Sequence, residues 1–175
     1  MKKTLSYWQF AGFVFTGILG TLLHFLYDWT GNRFVAVFSA VNESTWEHMK
    51  LLFFPMVLFA LVESRHIAPS YRNFWCAKLV SILMGTLMIP VLYYTYTGAL
   101  GTSISWLNIA IFYISAAIAY LIDTWLLKRG KCLFLSPATS ILILCLVAAL
   151  FIIFTLLPLE ISLFQDPLTK RYGRS

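Results

Sequence analysis

The stretch Thr45-Trp46-Glu47-His48-Met49-Lys50-Leu51-Leu52-Phe53-Phe54-Pro55-Met56-Val57-Leu58-Phe59-Ala60-Leu61-Val62 changes character at Lys50, from a polar start to an uninterrupted apolar run. As a helix the apolar part rises only about 18 Å, short of a hydrocarbon core of about 30 Å. Some of residues 46–50 must therefore sit at or below headgroup level. Polar side chains at that depth face inward and are often functional. Immediately upstream, Asn42, Glu43 and Ser44 extend the polar patch, in a chain with only 11% charged residues.

The rest of the composition agrees with a lipid solvent. Of the 175 residues 60% are hydrophobic and 17% aromatic, and the mean hydropathy is +0.80, outside the range of soluble globular domains. Apolar runs of spanning length fall at 8–27, 45–62, 74–96, 104–127 and 137–157. Each is too long and too continuous for a barrel strand, and in lipid only a helix satisfies its own backbone within one segment. The expectation is an all-α, polytopic transmembrane helix bundle of five spans forming one domain over 1–175. Pro55 and Pro90 mark kinks, and residues 34–39 predict a short extra turn of helix before the polar patch.

Basic residues set the orientation, because cytoplasmic loops retain Lys and Arg. Lys2 and Lys3 precede the first span, Arg65, Arg72 and Lys78 surround the second loop, and Lys128, Arg129 and Lys131 fill the fourth, while the opposite loops hold only Arg33 and Lys50. This predicts a cytoplasmic N-terminus and a tail, 158–175, on the outer side. Lys170, Arg171 and Arg174 in that tail oppose the assignment, and a sixth, re-entrant segment at 156–164 would relieve the conflict. The net charge of +6 is dispersed among loops, so no nucleic-acid partner is implied. Cys76, Cys132 and Cys145 lack the spacing of a disulfide framework, zinc site or redox motif, and read as small apolar residues.

Gly17, Gly20, His24 and Asp28 recur at steps of three, four and four, which at about 100° per residue confines them to about 80° of arc. Small residues admit a neighbouring helix, and ionisable ones avoid lipid, so this face turns inward. The second span opens with a capping box, Ser44-x-x-Glu47, with Asn42 as an alternative cap. Capping accounts for Asn42, Ser44 and Glu47, but not for Glu43, His48 or Lys50. His24, Asp28, Glu43, Glu47 and His48 thus gather at the outer ends of the first two spans. Two imidazoles and three carboxylates suit zinc or another divalent transition ion, or an acid/base pair. The expected ligand set is His24, Asp28 and His48, with Glu43 or Glu47 as supporting group or base and His48 as a further catalytic candidate. Elsewhere, Asp123 is expected to pair with Lys128 or Arg129, with Asn108 and Ser115 as a polar extension. Glu63, Arg65 and His66 read as a solvated helix end, and Tyr93, Tyr94 and Tyr96 as an interfacial belt.

His24-Phe25-Leu26-Tyr27-Asp28-Trp29, the string Val41-Asn42-Glu43-Ser44-Thr45-Trp46-Glu47-His48-Met49-Lys50 with Phe54-Pro55, and Pro158 with Leu163-Phe164-Gln165-Asp166-Pro167-Leu168-Thr169-Lys170-Arg171-Tyr172-Gly173 together resemble a family of small, uncharacterised bacterial integral membrane proteins. That resemblance implies a multi-pass protein of the bacterial cytoplasmic membrane and brings no activity with it. It draws attention to the tail, which on the outer side would fold over the polar patch as a lid and contribute Asp166. Three function classes remain: a membrane-embedded, metal-dependent hydrolase or transferase acting on a lipid-like substrate; a small transporter or subunit binding a polar solute, expected to form homo-oligomers or to need partner subunits; and a structural or regulatory partner in which Asn42, Trp46 and Lys50 only cap and dock helices.

Overall fold

A computed structural model of the chain describes residues 2–173 and contains six α-helices: α1 Lys2–Thr30, α2 Arg33–Ala36, α3 Thr45–Ser64, α4 Phe74–Leu100, α5 Ser105–Arg129 and α6 Pro137–Leu156. Five of them, all but the short α2, are long and apolar enough to cross a membrane. The expected turn at 34–39 is α2, capped by Asn32, whose side chain accepts from the Phe34 N–H. Residues 157–164 are not helical, so no sixth span forms. The side chains of Lys2 and Lys3, and Arg174, lie outside the described residues, and with them part of the charge asymmetry used for orientation.

Helix α3 is the centre of the bundle. It packs on α1, α4, α5 and α6, and its core side chains Leu51, Leu52, Phe53 and Met56 are buried against Ile82, Phe112 and Phe151. Close approach is arranged by glycine. A Cβ at Gly20 would lie 2.8 Å from the Leu51 carbonyl oxygen of α3, and one at Gly85 would lie 2.5 Å from the Ala119 Cβ of α5. Small residues serve this purpose where lipid offers no hydrophobic drive to helix association. Helices α4 and α5 end on Gly101 (φ 71°) and Gly130 (φ 60°), left-handed caps in which a side chain would be strained.

Two ion clusters lie inside the bundle, and both correct the reading of their residues. Glu63 is fully buried rather than solvated, and Lys78 is no loop charge: its Nζ pairs with Glu63 Oε2 and lies 2.6 Å from Asp123 Oδ2. Asp123 therefore faces Lys78 and not Lys128 or Arg129. At the other end of α3, Lys50 is fully buried beside Glu47. Counting either lysine as a loop charge overstates what it can say about orientation.

Cys76 and Cys132 form a disulfide across 56 residues of sequence, against the expectation of three unpaired thiols. The pair exists because the start of α4 and the α5–α6 loop meet, where Asn73 Nδ2 donates to the carbonyls of Leu126 (2.8 Å) and Lys131 (2.6 Å). Spacing alone could not reveal a contact made by folding. Cys145 is free and exposed. A Cys145→Ala variant is therefore expected to take up no maleimide when denatured without reductant, and two per chain after reduction; labelling before reduction would show the bond absent.

Candidate functional site

The C-terminal end of α1 and the N-terminal end of α3 are joined by a loop that doubles back over α1. The Ser39 hydroxyl donates to the Leu23 carbonyl and accepts from the Tyr27 N–H at 2.9 Å, while Ala40 N–H donates to the same carbonyl at 3.3 Å. Those bonds take up backbone groups near the end of α1 and carry Glu43 across to His24.

Glu43 lies between two imidazoles. Its Oε1 is 3.5 Å from His24 Nε2 and its Oε2 is 3.5 Å from His48 Nε2. One ligand atom from each of the three residues lies within 4.8 Å of the others. His48 Nδ1 is 2.9 Å from the Ser44 carbonyl oxygen. A carbonyl only accepts, so Nδ1 carries the proton and the neutral ring turns the lone pair of Nε2 toward the carboxylate. Two acceptors then face each other, an arrangement that a positive centre between them relieves. Contacts of this length are weak as hydrogen bonds. They approach instead the ligand-to-ligand edge of a tetrahedral zinc site, about 3.4 Å for bonds of about 2.0–2.1 Å. A separation of 4.8 Å has to shorten by about 1.4 Å for all three to bind one ion. His24 Nδ1 is buried and has no partner among the described residues. The Glu43 carboxyl is held below its usual range, chiefly by its contact with His24, against the opposing effect of burial.

Beside these three residues is a cavity of about 390 Å³. Its walls come from α1 (Gly20, Thr21, Phe25), α5 (Asn108, Phe112, Tyr113) and the tail residues Pro167 and Leu168. Apolar surface dominates, with a few polar groups, as in pockets for amphiphilic ligands. Phe25, Ile109 and Tyr113 on its rim are also exposed on the outside of the bundle, so the cavity opens between α1 and α5.

Asp28, expected as a metal ligand, is exposed and stands outside the three-residue cluster. The carboxylate beside the two imidazoles is that of Glu43. Glu47, expected as a base, is turned away: Oε1 accepts from Thr155 Oγ1 (3.0 Å), and Oε2 accepts from Val41 N–H (3.0 Å) and pairs with Lys50 Nζ at 2.6 Å. Only half of the capping box forms. Ser44 Oγ accepts from Glu47 N–H at 3.4 Å, but the Ser44 N–H donates to Asn42 Oδ1 at 2.9 Å, leaving Glu47 to reach Val41.

Asn42 and Trp46 dock the tail. Asn42 Nδ2 donates to the Gly173 carbonyl at 2.9 Å, and Trp46 N–H to that of Leu163 at 3.0 Å. The Trp46 ring packs on Phe151, Phe154 and Phe164. Asp166 is buried and does not line the cavity; Oδ1 accepts from Leu168 N–H (2.7 Å) and Thr169 N–H (3.3 Å), closing the turn that presents Pro167 and Leu168. The tail therefore lies over the site without bringing it a carboxylate.

Asp123 belongs to the inner ion cluster, away from the cavity lining. Tyr96 is more than a belt residue: its hydroxyl donates to Asn108 Oδ1 and accepts from Ile104 N–H at 3.2 Å, fixing a polar wall of the cavity. Tyr113, bonded to Thr21 Oγ1 at 3.1 Å, was not foreseen. A tyrosine within an apolar run gives no signal of its own.

A family model described as "Family of unknown function (DUF6512)" matches residues 1–174. No curated protein and no solved structure matches the chain.

Proposed function

The chain belongs to DUF6512, a family whose description assigns no reaction, and we propose from the site itself that it is a membrane-embedded, metal-dependent hydrolase acting on a lipid-like substrate. The observation that carries this reading is the grouping of His24, Glu43 and His48 at the wall of a largely apolar cavity. Two histidines and a carboxylate are a donor set that zinc uses where a coordination position is left for water or substrate. When bound, such an ion supplies a Lewis acid and lowers the pKa of its water. His24 and His48 hold the ion through Nε2, with the Ser44 carbonyl fixing the ring of His48. Glu43 is the one carboxylate in the lining, so it completes the ligand set with one oxygen and offers the other to a proton. Asn108 and Tyr113 orient the polar end of the substrate, and Phe25, Ile109 and Phe112 seat its apolar part.

The transport alternative needs a route to Asp123, and the lining of this cavity does not reach it. A purely docking role leaves the cavity and the facing acceptors unexplained. The basic residues at the opposite end, Arg65, Arg72, Lys128, Arg129 and Lys131, favour a cytoplasmic N-terminus with the site in the outer leaflet, whereas the Cys76–Cys132 disulfide at that same end favours the reverse.

Elemental analysis tests the metal. Protein purified without chelator is expected to carry near-stoichiometric zinc or another transition ion, and a monodisperse His24→Ala/His48→Ala variant to carry none. A parent that neither retains such an ion nor takes one up on titration would sink the proposal. The Glu43 carboxyl is held below its usual range, so release of the ion on acidification is expected to follow protonation of the imidazoles, which compete with the ion through the same lone pairs.

A further inference from the structure

At the other end of the bundle, Glu63 of α3, Lys78 of α4 and Asp123 of α5 meet Gln9 of α1, and no part of this group belongs to the site above. Glu63 and Asp123 are fully buried and Lys78 is 2% exposed. Lys78 Nζ pairs with Glu63 Oε2 and lies 2.6 Å from Asp123 Oδ2. Gln9 Nε2 lies 3.1 Å from Glu63 Oε1 and 2.7 Å from Asp123 Oδ2, while Ser81 Oγ lies 3.4 Å from Asp123 Oδ1. Nearby, Tyr120 of α5 is bonded to Thr16 of α1 at 2.9 Å, and α6 contains no charged residue.

Two carboxylates and one ammonium, all ionised, leave one negative charge uncompensated in a low-dielectric interior. An unpaired buried charge is costly enough that such groups neutralise instead. Gln9 belongs to the same cluster: it is 6% exposed, its Nε2 donates to one oxygen of each carboxyl, and its Oε1 is buried without a donor among the described residues. The amide holds the two carboxyls together but, being neutral, does not offset the excess charge. A metal ion is a poorer occupant, because each of the four carboxylate oxygens already faces Lys78, Gln9 or Ser81. A proton needs no room.

We propose that Glu63, Asp123, Lys78 and Gln9 form a proton-binding site that holds one exchangeable proton between the two carboxyls at neutral pH. On binding, a carboxylate oxygen forms an O–H bond with a proton taken from water, and the cluster becomes neutral. With Glu63→Gln or Asp123→Asn, one carboxylate balances Lys78 and the reason for the proton disappears. Infrared spectroscopy of the full-length protein in lipid vesicles reads this directly. The parent is expected to show the C=O stretch of a protonated carboxylic acid, shifted in deuterium oxide and absent from both variants. No such band in the parent, or a band kept in either variant, overturns the proposal. Either variant alone carries the assignment should the other fail to fold as a monodisperse species.

Discussion

Replacing Lys50 by methionine is expected to lower the stability of the detergent-solubilised bundle by about 3–5 kcal/mol, the cost of leaving a buried carboxylate without its partner. Lys50 is fully buried, and its Nζ donates to the Ala36 carbonyl at 2.9 Å and to Thr155 Oγ1 at 3.0 Å besides pairing with Glu47 at 2.6 Å. One ammonium thus joins α2, α3 and α6 at the end of the bundle that carries the site. Methionine has nearly the same length and fills the space, so the loss reports charge and hydrogen bonds rather than a cavity. Adding Glu47→Gln removes the stranded charge, and the double variant is expected to recover part of the loss, since the two residues are in contact and their effects are not additive. Thermal unfolding followed by tryptophan fluorescence measures both. A Lys50→Met variant that unfolds with the parent would mean that the network contributes nothing to stability.

The spans were legible because their signal is local. Apolar runs of spanning length end where α1 and α3 to α6 end, within a few residues apart from the extra turns of α1. That some polar groups among residues 46–50 turn inward was also legible, because the apolar run after them is too short to cross the core alone, and Glu47 and Lys50 are buried. The partners were not. Helical arithmetic placed Asp28 on the face of His24, one turn further out, but that position lies at the exposed end of α1. Glu43 arrives through the loop whose Ser39 bonds back to Leu23 and Tyr27, a path that no periodicity encodes. The same holds for Gln9 with Asp123, 114 residues apart, and for Cys76 with Cys132. In a bundle, the residue that matters to a buried charge is supplied by another helix, and sequence spacing says nothing about which one.

Glu43→Gln and Glu47→Gln separate chemistry from architecture within one motif, and they are expected to fail in opposite ways. Glu43 is half-exposed and, among the described residues, its ion pairs are with the two imidazoles, so its amide analogue keeps the shape of the site but loses the anionic ligand. Zinc affinity is expected to fall by at least about 100-fold, beyond what loss of a supporting hydrogen bond to a metal ligand costs, with the unfolding temperature of the metal-free protein unchanged. Glu47 offers two oxygens to three donors, Val41 N–H, Thr155 Oγ1 and Lys50 Nζ. Glutamine offers one oxygen and turns an N–H₂ on the rest, leaving a buried donor unsatisfied at a cost of about 1–3 kcal/mol. The unfolding temperature is expected to drop while the folded fraction binds zinc as the parent does, because Glu47 does not line the cavity. Zinc titration calorimetry beside thermal unfolding reads both variants. Equal losses of affinity in the two would return Glu47 to the ligand set, and no loss in Glu43→Gln would remove Glu43 from it.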